Sequence, residues 1–247
     1  KRFFNKMSTN IIKINRCRLC LSNKITKAFD LRSTPLANNL ITKKNLNKKD
    51  ELFRLCLVYC KNCGHVQLSH SVSSKKLFEN YLYLTNTSKQ NRKHFKDYSF
   101  EISKKTIKEK KVKILDIASN EGTFLAYLKK KKFFKVGIDP AKNLLKFANK
   151  NKIEQLPLFF TEKNSLILLK KYGKFDVITA NNVCAHVDDL HNFFLGVKNL
   201  INENGIFVFE VSYLGDVIRK KTFDTIYHEH LDYHALKPLI SFVKKFD

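Results

Sequence analysis

A short polar run near the end of the sequence carries the side chains that enzymes use to move protons near neutral pH. It spans residues 223–233 and reads Phe-Asp-Thr-Ile-Tyr-His-Glu-His-Leu-Asp-Tyr. Two histidines flank a glutamate and a tyrosine precedes them, whereas six of the chain's eight histidines lie elsewhere. A polar loop with solvated histidines would show the same residues, so the preceding elements must decide between a loop and a catalytic site.

Two Cys-x-x-Cys pairs lie in the first part of the chain, Cys17/Cys20 and Cys60/Cys63, with 39 residues between them. Each pair can form a knuckle whose backbone amides point at the sulfurs, and together they supply four thiolates for a tetrahedral zinc ion. Gly64 permits the positive φ that such a turn often requires. Disulfides and a redox pair are the alternatives, but nothing indicates an oxidising compartment, and a redox Cys-x-x-Cys normally occurs once. We therefore predict structural zinc.

The rest of this first part is predicted to be a small module over residues 1–78. Cys56 and Cys184 lie in apolar segments and are predicted to be small buried hydrophobes instead of metal ligands. The stretch from Leu31 to Leu40 is predicted to be a loop.

A connector is predicted at residues 79–110. Tyr81 and Tyr83 lie in its first part among hydroxyl side chains, which suits a linker or one wall of a pocket. Apolar and aromatic residues then recur at helical spacing, which predicts a helix over about residues 89–110.

From residue 111 onward, apolar strands alternate with helical segments. The strands are predicted at 111–118, 135–139, around 158, 175–180 and 205–211, and the last helix between them at 188–200. This alternation predicts a parallel doubly wound sheet, whose ligands bind at the carboxyl ends of the strands. The predicted fold class is thus α/β, Rossmann-like, preceded by the four-cysteine zinc-binding module.

The loop after the first of these strands, residues 116–122, reads Asp-Ile-Ala-Ser-Asn-Glu-Gly. A dinucleotide domain requires Gly-x-Gly-x-x-Gly, of which only Gly122 is present. The loop instead resembles the first motif of class I S-adenosylmethionine (SAM) methyltransferases. That resemblance implies that the loop approaches the amino-acid part of SAM and that Asp139 binds the ribose hydroxyls, although acids at strand ends also occur as simple caps. Ala118 replaces the family's usual first glycine, and alanine fits there if its φ is negative.

The residues predicted to bind SAM are Asp116, Ala118, Ser119, Asn120, Gly122, Asp139, Asn181 and Asn182. Asn181 and Asn182 follow the fourth strand, and His186 comes shortly after them. This position favours a pocket role for His186, with a capped structural histidine as the alternative.

Together these motifs resemble those of the sugar-nucleotide C-methyltransferases, which act like the deoxysugar 3-C-methyltransferases, from about Cys17 to the end of the chain. They are the two Cys-x-x-Cys pairs, Tyr-x-Tyr-x-Thr, the SAM loop, Asn-Val-x-Ala-His-Val and Tyr-His-Glu-His. The resemblance implies methyl transfer from SAM to carbon 3 of a nucleotide-linked 4-keto-deoxyhexose, with dTDP as the expected nucleotide. The implied catalytic residues are His230 as the base, Glu229, Tyr227 and Tyr83, and the implied substrate contacts are His186, Tyr81 and His228.

Family members carry a further C-terminal domain, so we expect this chain to be a fragment with its SAM domain at residues 111–247. Translation could begin at Met7. An O- or N-methyltransferase on the same scaffold is the nearest alternative.

The formal net charge of +25 comes from lysines spread through the whole chain, with few arginines. We interpret it as solvated surface and predict no dedicated nucleic-acid site, with an RNA-binding protein as the alternative function. No apolar run approaches the roughly 20 residues of a membrane span, and the first residues make a poor signal peptide. We expect a cytoplasmic protein without membrane contact, and a monomer is compatible with the sequence.

Overall fold

The structure is a computed structural model that describes residues 11–79, 81–106, 111–129, 131–151 and 153–246. The candidate start at Met7 and the predicted end of the connector helix near Lys110 lie outside these residues. No helix among the residues it describes is long and apolar enough to cross a membrane.

The first elements are β1 (Ile11–Lys13), β2 (Ile25–Thr34), β3 (Phe53–Cys60), β4 (Val66–Leu68), β5 (His70–Val72) and α1 (Ser74–Phe78). Helices and strands then alternate as α2 (Lys89–Lys105), β6 (Val112–Ile117), α3 (Thr123–Tyr127), β7 (Phe133–Ile138), α4 (Leu145–Lys150), β8 (Glu154–Leu156), α5 (Glu162–Tyr172), β9 (Phe175–Asn181), α6 (Leu190–Leu200) and β10 (Ile201–Glu210). The last elements are α7 (Leu214–Lys220), β11 (Asp232–Tyr233) and α8 (Leu236–Val243).

The described residues group into two compact units. The cysteine unit comprises 11–77, 185–188 and 212–245, and the α/β unit comprises 78–184, 189–211 and 246. This grouping differs from the predicted division of the chain at residues 78 and 110. Residues 212–245 belong with the cysteine unit because β11 pairs with β4 in its sheet. Because β11 comes from the far end of the chain, no local sequence pattern indicated that it joins this sheet.

The α/β unit is built on a parallel five-stranded sheet in the order β10-β9-β6-β7-β8. The central strand β6 pairs with β7 on one side and with β9 on the other. The strand order therefore reverses beside β6, which is the point where doubly wound sheets bind their ligands. The predicted parallel doubly wound sheet is confirmed.

Helix α6 begins two residues later than predicted. Asp189 is its N-cap, with the side chain accepting a hydrogen bond from the Asn192 backbone N–H at 3.0 Å. A carboxylate at this position satisfies a free N–H group of the first turn. Asp188, predicted as the first helical residue, instead pairs with Arg18 inside the cysteine unit.

The cysteine unit contains a four-stranded antiparallel sheet in the order β11-β4-β3-β2 and a separate antiparallel pair, β1 and β5. Its core is formed by Leu55, Leu57, Leu68, Leu231 and Tyr233. The predicted loop from Leu31 to Leu40 is wrong at its start, because β2 continues to Thr34. The ladder passes an irregularity between Asp30 and Ser33, and Arg32 within it has a φ of 66°. An irregular strand lacks the regular alternation of residue types by which a strand is recognised in a sequence, so β2 was not predicted here.

Candidate active site

The four predicted zinc ligands come together in the cysteine unit. The sulfurs of Cys17, Cys20, Cys60 and Cys63 all lie within 4.8 Å of one another. The Sγ atoms of Cys17 and Cys63 are 3.6 Å apart, as are those of Cys20 and Cys60. A disulfide requires about 2.05 Å, whereas a tetrahedral ion with Zn–S bonds of about 2.3 Å places its sulfurs about 3.8 Å apart. The donor set therefore fits a structural zinc ion.

Each knuckle closes by the same turn. The Leu21 N–H donates to the Cys17 carbonyl and the Gly64 N–H to the Cys60 carbonyl, both at 2.9 Å. Leu21 and Gly64 have φ values of 61° and 80°, which confirms the positive φ predicted for Gly64. Burial raises the pKa of Cys63 to about 11. A bound divalent cation would supply the charge that favours thiolates in this buried cluster.

The loop after β6 forms a left-handed turn in the α/β unit. Ala118, Asn120 and Gly122 have φ values of 53°, 52° and 78°. A Cβ on Gly122 would lie 2.9 Å from Cγ1 of Ile153, so glycine is required there for space as well as for conformation. The negative φ that alanine would need to fit at position 118 is therefore not present. An L-residue in this region costs roughly 1–2 kcal/mol, which the family's usual glycine avoids.

Asp139 closes β7 directly beside this loop. One of its carboxylate oxygens accepts the Asn120 N–H at 2.9 Å, and the other accepts the Ala141 N–H at 2.8 Å. Burial raises the pKa of Asp139, and these backbone hydrogen bonds oppose the shift. Ser119 donates its hydroxyl to Gln155 at 2.9 Å. Asp139 is thus held in place while each oxygen retains a lone pair for a ribose hydroxyl.

The carboxyl ends of β6 and β9 carry further predicted SAM-binding residues. Asp116 is buried and accepts the Thr179 hydroxyl at 2.7 Å. Burial raises the pKa of Asp116 to about 7, and the charge of Asp139 adds to this shift. Among the described residues, the buried amide atoms of Asn181 have no hydrogen-bond partner, and Asn182 follows with a φ of 55°. An orphaned amide beside a left-handed loop fits a polar ligand such as the amino-acid part of SAM.

Glu121 is an important residue of this loop that the sequence analysis missed. It is buried, and its carboxylate accepts the backbone N–H groups of Thr85 at 3.1 Å and Asn86 at 2.8 Å. The neighbouring Asn120 side chain donates to the Tyr83 carbonyl at 3.1 Å. The SAM loop therefore holds the tyrosine-containing segment of the connector. An acid inside the loop motif was the only sequence signal for this contact.

Hydrogen bonds hold the backbones of the two connector tyrosines, Tyr81 and Tyr83, whereas their rings are partly exposed. Asn143 accepts the Tyr81 N–H at 3.2 Å and donates to the Tyr81 carbonyl at 2.8 Å. Tyr83 is 49% exposed, and its hydroxyl accepts a hydrogen bond from Asn91 at 2.5 Å. The rings lie 6.4 Å apart. These contacts suit a pocket wall better than the linker that the sequence favours.

In the cysteine unit, His230 has a defined tautomer. Its Nδ1 lies 2.7 Å from the Thr225 carbonyl, which can only accept, so Nδ1 carries the hydrogen. In the neutral ring, the Nε2 lone pair therefore accepts a hydrogen bond from the Tyr227 hydroxyl at 3.1 Å. The sequence could not distinguish the two histidines of this motif. Each donates one ring N–H to a backbone carbonyl, but Nδ1 of His228 is buried without a hydrogen-bond partner among the described residues, whereas Nε2 of His230 lies beside the Tyr227 hydroxyl.

His186 packs against His230. The ring centroids are 5.0 Å apart, and the ring planes are nearly perpendicular at 83°. Burial and, to a smaller extent, the neighbouring His230 lower the pKa of His186 to about 3. Burial also lowers the pKa of His230, whereas burial raises that of Tyr227 to about 12. At neutral pH the cluster therefore holds two neutral imidazoles and a protonated phenol.

The other two residues of the motif anchor the loop. Glu229 is buried and accepts a hydrogen bond from the Asn38 side chain at 2.6 Å. His228 is buried, donates from Nε2 to the Phe53 carbonyl at 3.1 Å and packs edge-on against the Phe53 ring. These contacts favour a role for His228 in holding the loop, whereas its predicted substrate contact stays a prediction.

The family of the chain follows from comparison with known proteins. A family model described as "Methyltransferase domain" matches residues 75–246, and one described as "Putative zinc binding domain" matches residues 17–78. The chain belongs to the SAM-dependent methyltransferases. Its cofactors are SAM and zinc, in agreement with the left-handed loop after β6 and the four-cysteine cluster.

A curated relative of this methyltransferase is C-methyltransferase NovU of Streptomyces niveus. The two are 29% identical over 226 residues, which cover 92% of this chain and 54% of the relative. The chain thus spans about half the length of that protein. The family resemblance inferred from the motifs is confirmed.

Solved structures similar to this methyltransferase include a SAM-dependent methyltransferase from Clostridium acetobutylicum, at 24% identity and a TM-score of 0.43, covering 51% of this chain and 54% of that one. Another, a SAM-dependent methyltransferase from Archaeoglobus fulgidus, has 16% identity and a TM-score of 0.46, and covers 61% and 68% of the two chains.

Proposed function

We propose that this methyltransferase transfers the methyl group of SAM to carbon 3 of a nucleotide-linked 4-keto-deoxyhexose through an enolate. The observation that supports the proposal best is the geometry of His230, whose Nδ1–H donates to the Thr225 carbonyl and whose Nε2 lies beside the Tyr227 hydroxyl. The name of the relative, a C-methyltransferase, supports carbon as the acceptor. Binding to a dTDP-linked sugar, a monomeric state and a cytoplasmic location stay predictions.

The substrate's own chemistry explains why a neutral base is needed. Carbon 3 lies next to the ketone at carbon 4, so loss of its proton places negative charge on the carbonyl oxygen. In this proposal Nε2 of His230 takes that proton, since its Nδ1–H already donates to Thr225. A positioned base contributes roughly two to four orders of magnitude in rate. Bound SAM supplies an electrophilic methyl group for the resulting carbon nucleophile.

The enolate oxygen requires hydrogen-bond donors that keep their protons. Burial raises the pKa of Tyr227 to about 12, so its phenol stays protonated. Its hydrogen, which Nε2 of His230 accepts before the reaction, becomes available to the enolate oxygen once Nε2 has taken the carbon 3 proton and no longer accepts. Tyr83, in the α/β unit, stays a predicted catalytic phenol, with its backbone tied to the SAM loop and its ring about half exposed. Donors aimed at a developing oxyanion stabilise the transition state more than the ground state. His186 remains a candidate substrate contact beside His230.

The residues proposed to hold SAM belong to the α/β unit. The left-handed loop of Ser119, Asn120 and Gly122 would accommodate the amino-acid part, and Asp139 the ribose hydroxyls. The Asn181 amide would gain the partners that it lacks among the described residues. The same residues would also hold SAM for methyl transfer to an oxygen or nitrogen atom, so the position of the new methyl group must be measured.

The deciding experiment uses SAM labelled with ¹³C in its methyl group and a panel of nucleotide-linked 4-keto-sugars. We expect a product whose labelled methyl carbon shows the chemical shift and couplings of a carbon–carbon bond at carbon 3. Without SAM, but in D₂O, we expect the carbon 3 hydrogen to exchange with solvent, which isolates the enolisation step. A label on oxygen or nitrogen would sink the proposal. So would salt-dependent RNA binding without any SAM binding by calorimetry.

A further inference from the structure

Each zinc knuckle carries one polar side chain that reaches an acid two residues beyond a candidate active-site histidine. These contacts lie within the cysteine unit, although the acids are more than 160 residues away in sequence from their partners. None of the four side chains belongs to the metal ligands or to the residues proposed for chemistry.

The first contact starts from Arg18, which lies between the two cysteines of the first knuckle. Its side chain is 4% exposed, and Nη2 donates to Asp188 at 3.0 Å. The same guanidinium donates to the Leu68 carbonyl at 3.1 Å and to the Ser71 hydroxyl at 2.6 Å. Because the planar guanidinium has three hydrogen-bond partners, its orientation is fixed. Asp188, held in this way, follows His186 by two residues.

The second contact starts from His65, two residues after Cys63 of the second knuckle. Its Nε2 lies 2.7 Å from Oδ1 of Asp232, and both side chains are fully buried. Asp232 follows His230 by two residues. The second knuckle thus also contacts an acid two residues after a candidate active-site histidine, with His65 in place of Arg18.

The two histidine-bearing segments are also joined to each other. The Ala185 carbonyl accepts the backbone N–H groups of Leu231 at 2.7 Å and Asp232 at 3.2 Å. Directly beside this junction, the rings of His186 and His230 meet with their centroids 5.0 Å apart. Each ring of this pair is thus followed, two residues later in the chain, by an acid that a knuckle side chain holds.

We propose that Arg18–Asp188 and His65–Asp232 are positioning pairs that fix the rings of His186 and His230 relative to each other by tying their segments to the two zinc knuckles. The role assigned to the rings rests on the proposed function, whereas the positioning itself does not. A four-thiolate site would join both knuckles at one ion and give the two pairs a common rigid base. Buried polar contacts of this kind orient the groups that they hold.

The test compares Asp188→Ala and Asp232→Ala with the conservative Asp188→Asn and Asp232→Asn, which keep an acceptor oxygen. The matched control is Asp216→Asn, an exposed acid of the same unit that pairs with Arg219. In zinc-loaded protein with labelled histidine, we measure zinc per chain and the nuclear Overhauser effect between the His186 and His230 rings. His186→Gln and His230→Gln assign the signals.

We expect the alanine variants to keep one zinc and to lose most of the ring-to-ring signal, while the asparagine variants recover it and the control is unchanged. Methyl transfer should fall by about 10–100-fold in kcat with little change in KM for SAM. Unchanged ring signals in both alanine variants would overturn the proposal, as would loss of zinc, which would make the acids supports of the metal site. If Asp232→Ala does not fold, Asp188→Ala decides, because the Asp188 side chain is 47% exposed. A wild type without methyl transfer would refute the proposed function alone.

Discussion

His186 and His230 form a perpendicular ring pair, with 5.0 Å between their centroids and 83° between their planes. Two imidazolium ions at this distance would repel each other in a partly desolvated site. The contact therefore favours neutral rings, and the pKa of both histidines is lowered, chiefly by burial. A base that is already neutral needs no deprotonation before it accepts a proton from a substrate.

His230→Ala should remove most turnover and leave SAM binding nearly intact, because the base belongs to the cysteine unit and the SAM loop to the α/β unit. We expect kcat to fall by roughly 10²–10⁴-fold. Steady-state kinetics and calorimetric titration with SAM measure the two effects. His70→Ala, in β5 of the same unit, is the control. Near-wild-type turnover in the His230 variant would exclude it as the base.

Asp116 should make stability and SAM affinity depend on pH. Its pKa is raised from 3.8 to about 7, so between these values the folded protein keeps a proton that the unfolded chain releases. Its contribution is therefore fully present below about pH 4 and lost as the pH rises through about 7. Asp116→Asn keeps an acceptor for Thr179 and removes the titration. We expect urea denaturation to show the free energy of unfolding of wild type falling relative to the variant between about pH 4 and 7 and levelling off above that.

The same carboxylate should affect SAM binding with the opposite sign. Because SAM is cationic, ionised Asp116 would hold it better, so wild-type affinity should rise as the pH passes through about 7. Calorimetry across this range measures the effect. Parallel affinity curves for wild type and Asp116→Asn would contradict it.

Ala118→Gly and Gly122→Ala should change stability in opposite directions, although both lie in the same loop. Glycine at 118 relieves the cost of a φ of 53°, offset in part by greater freedom of the unfolded chain. We expect a gain of about 0.5–1 kcal/mol, or roughly 1–4 °C in Tm. Alanine at 122 would have to adopt a φ of 78°, and its Cβ would lie 2.9 Å from Cγ1 of Ile153, so Tm should fall. Thermal unfolding without SAM provides the measurement. Equal effects of the two substitutions would refute the strain argument.

Zinc content should depend on the four knuckle cysteines and not on Cys56, the other cysteine of β3. Cys60→Ser removes one of the four clustered sulfurs, so we expect loss of the ion and a lower Tm. Cys56→Ser is the matched control, since Cys56 is buried but lies outside the cluster. Metal analysis of the purified proteins and thermal unfolding with and without a chelator give the readouts. Stoichiometric zinc in Cys60→Ser would show that the ion is held elsewhere.

Local patterns in the sequence predicted the features that depend on neighbouring residues. The spacing of the two Cys-x-x-Cys pairs predicted the metal cluster, and the alternation of strands and helices predicted the parallel sheet. The turn at Gly64 was predictable because a positive φ has a strong residue preference. The same reasoning failed at Ala118, where the turn imposes a positive φ on a residue that does not prefer it.

Features that depend on residues far apart in the chain were decided only by the tertiary structure. Asn38 donates to Glu229 and His228 donates to the Phe53 carbonyl, so hydrogen bonds tie this motif to distant segments of the cysteine unit. The Thr225 carbonyl selects the tautomer of His230, which residue types alone cannot reveal. The sequence by itself thus determined the family, the sheet and the metal ligands, because these follow from short-range pattern. The fold decided which groups the two motif histidines contact and how deeply each is buried, because hydrogen bonds and burial arise only when distant segments meet.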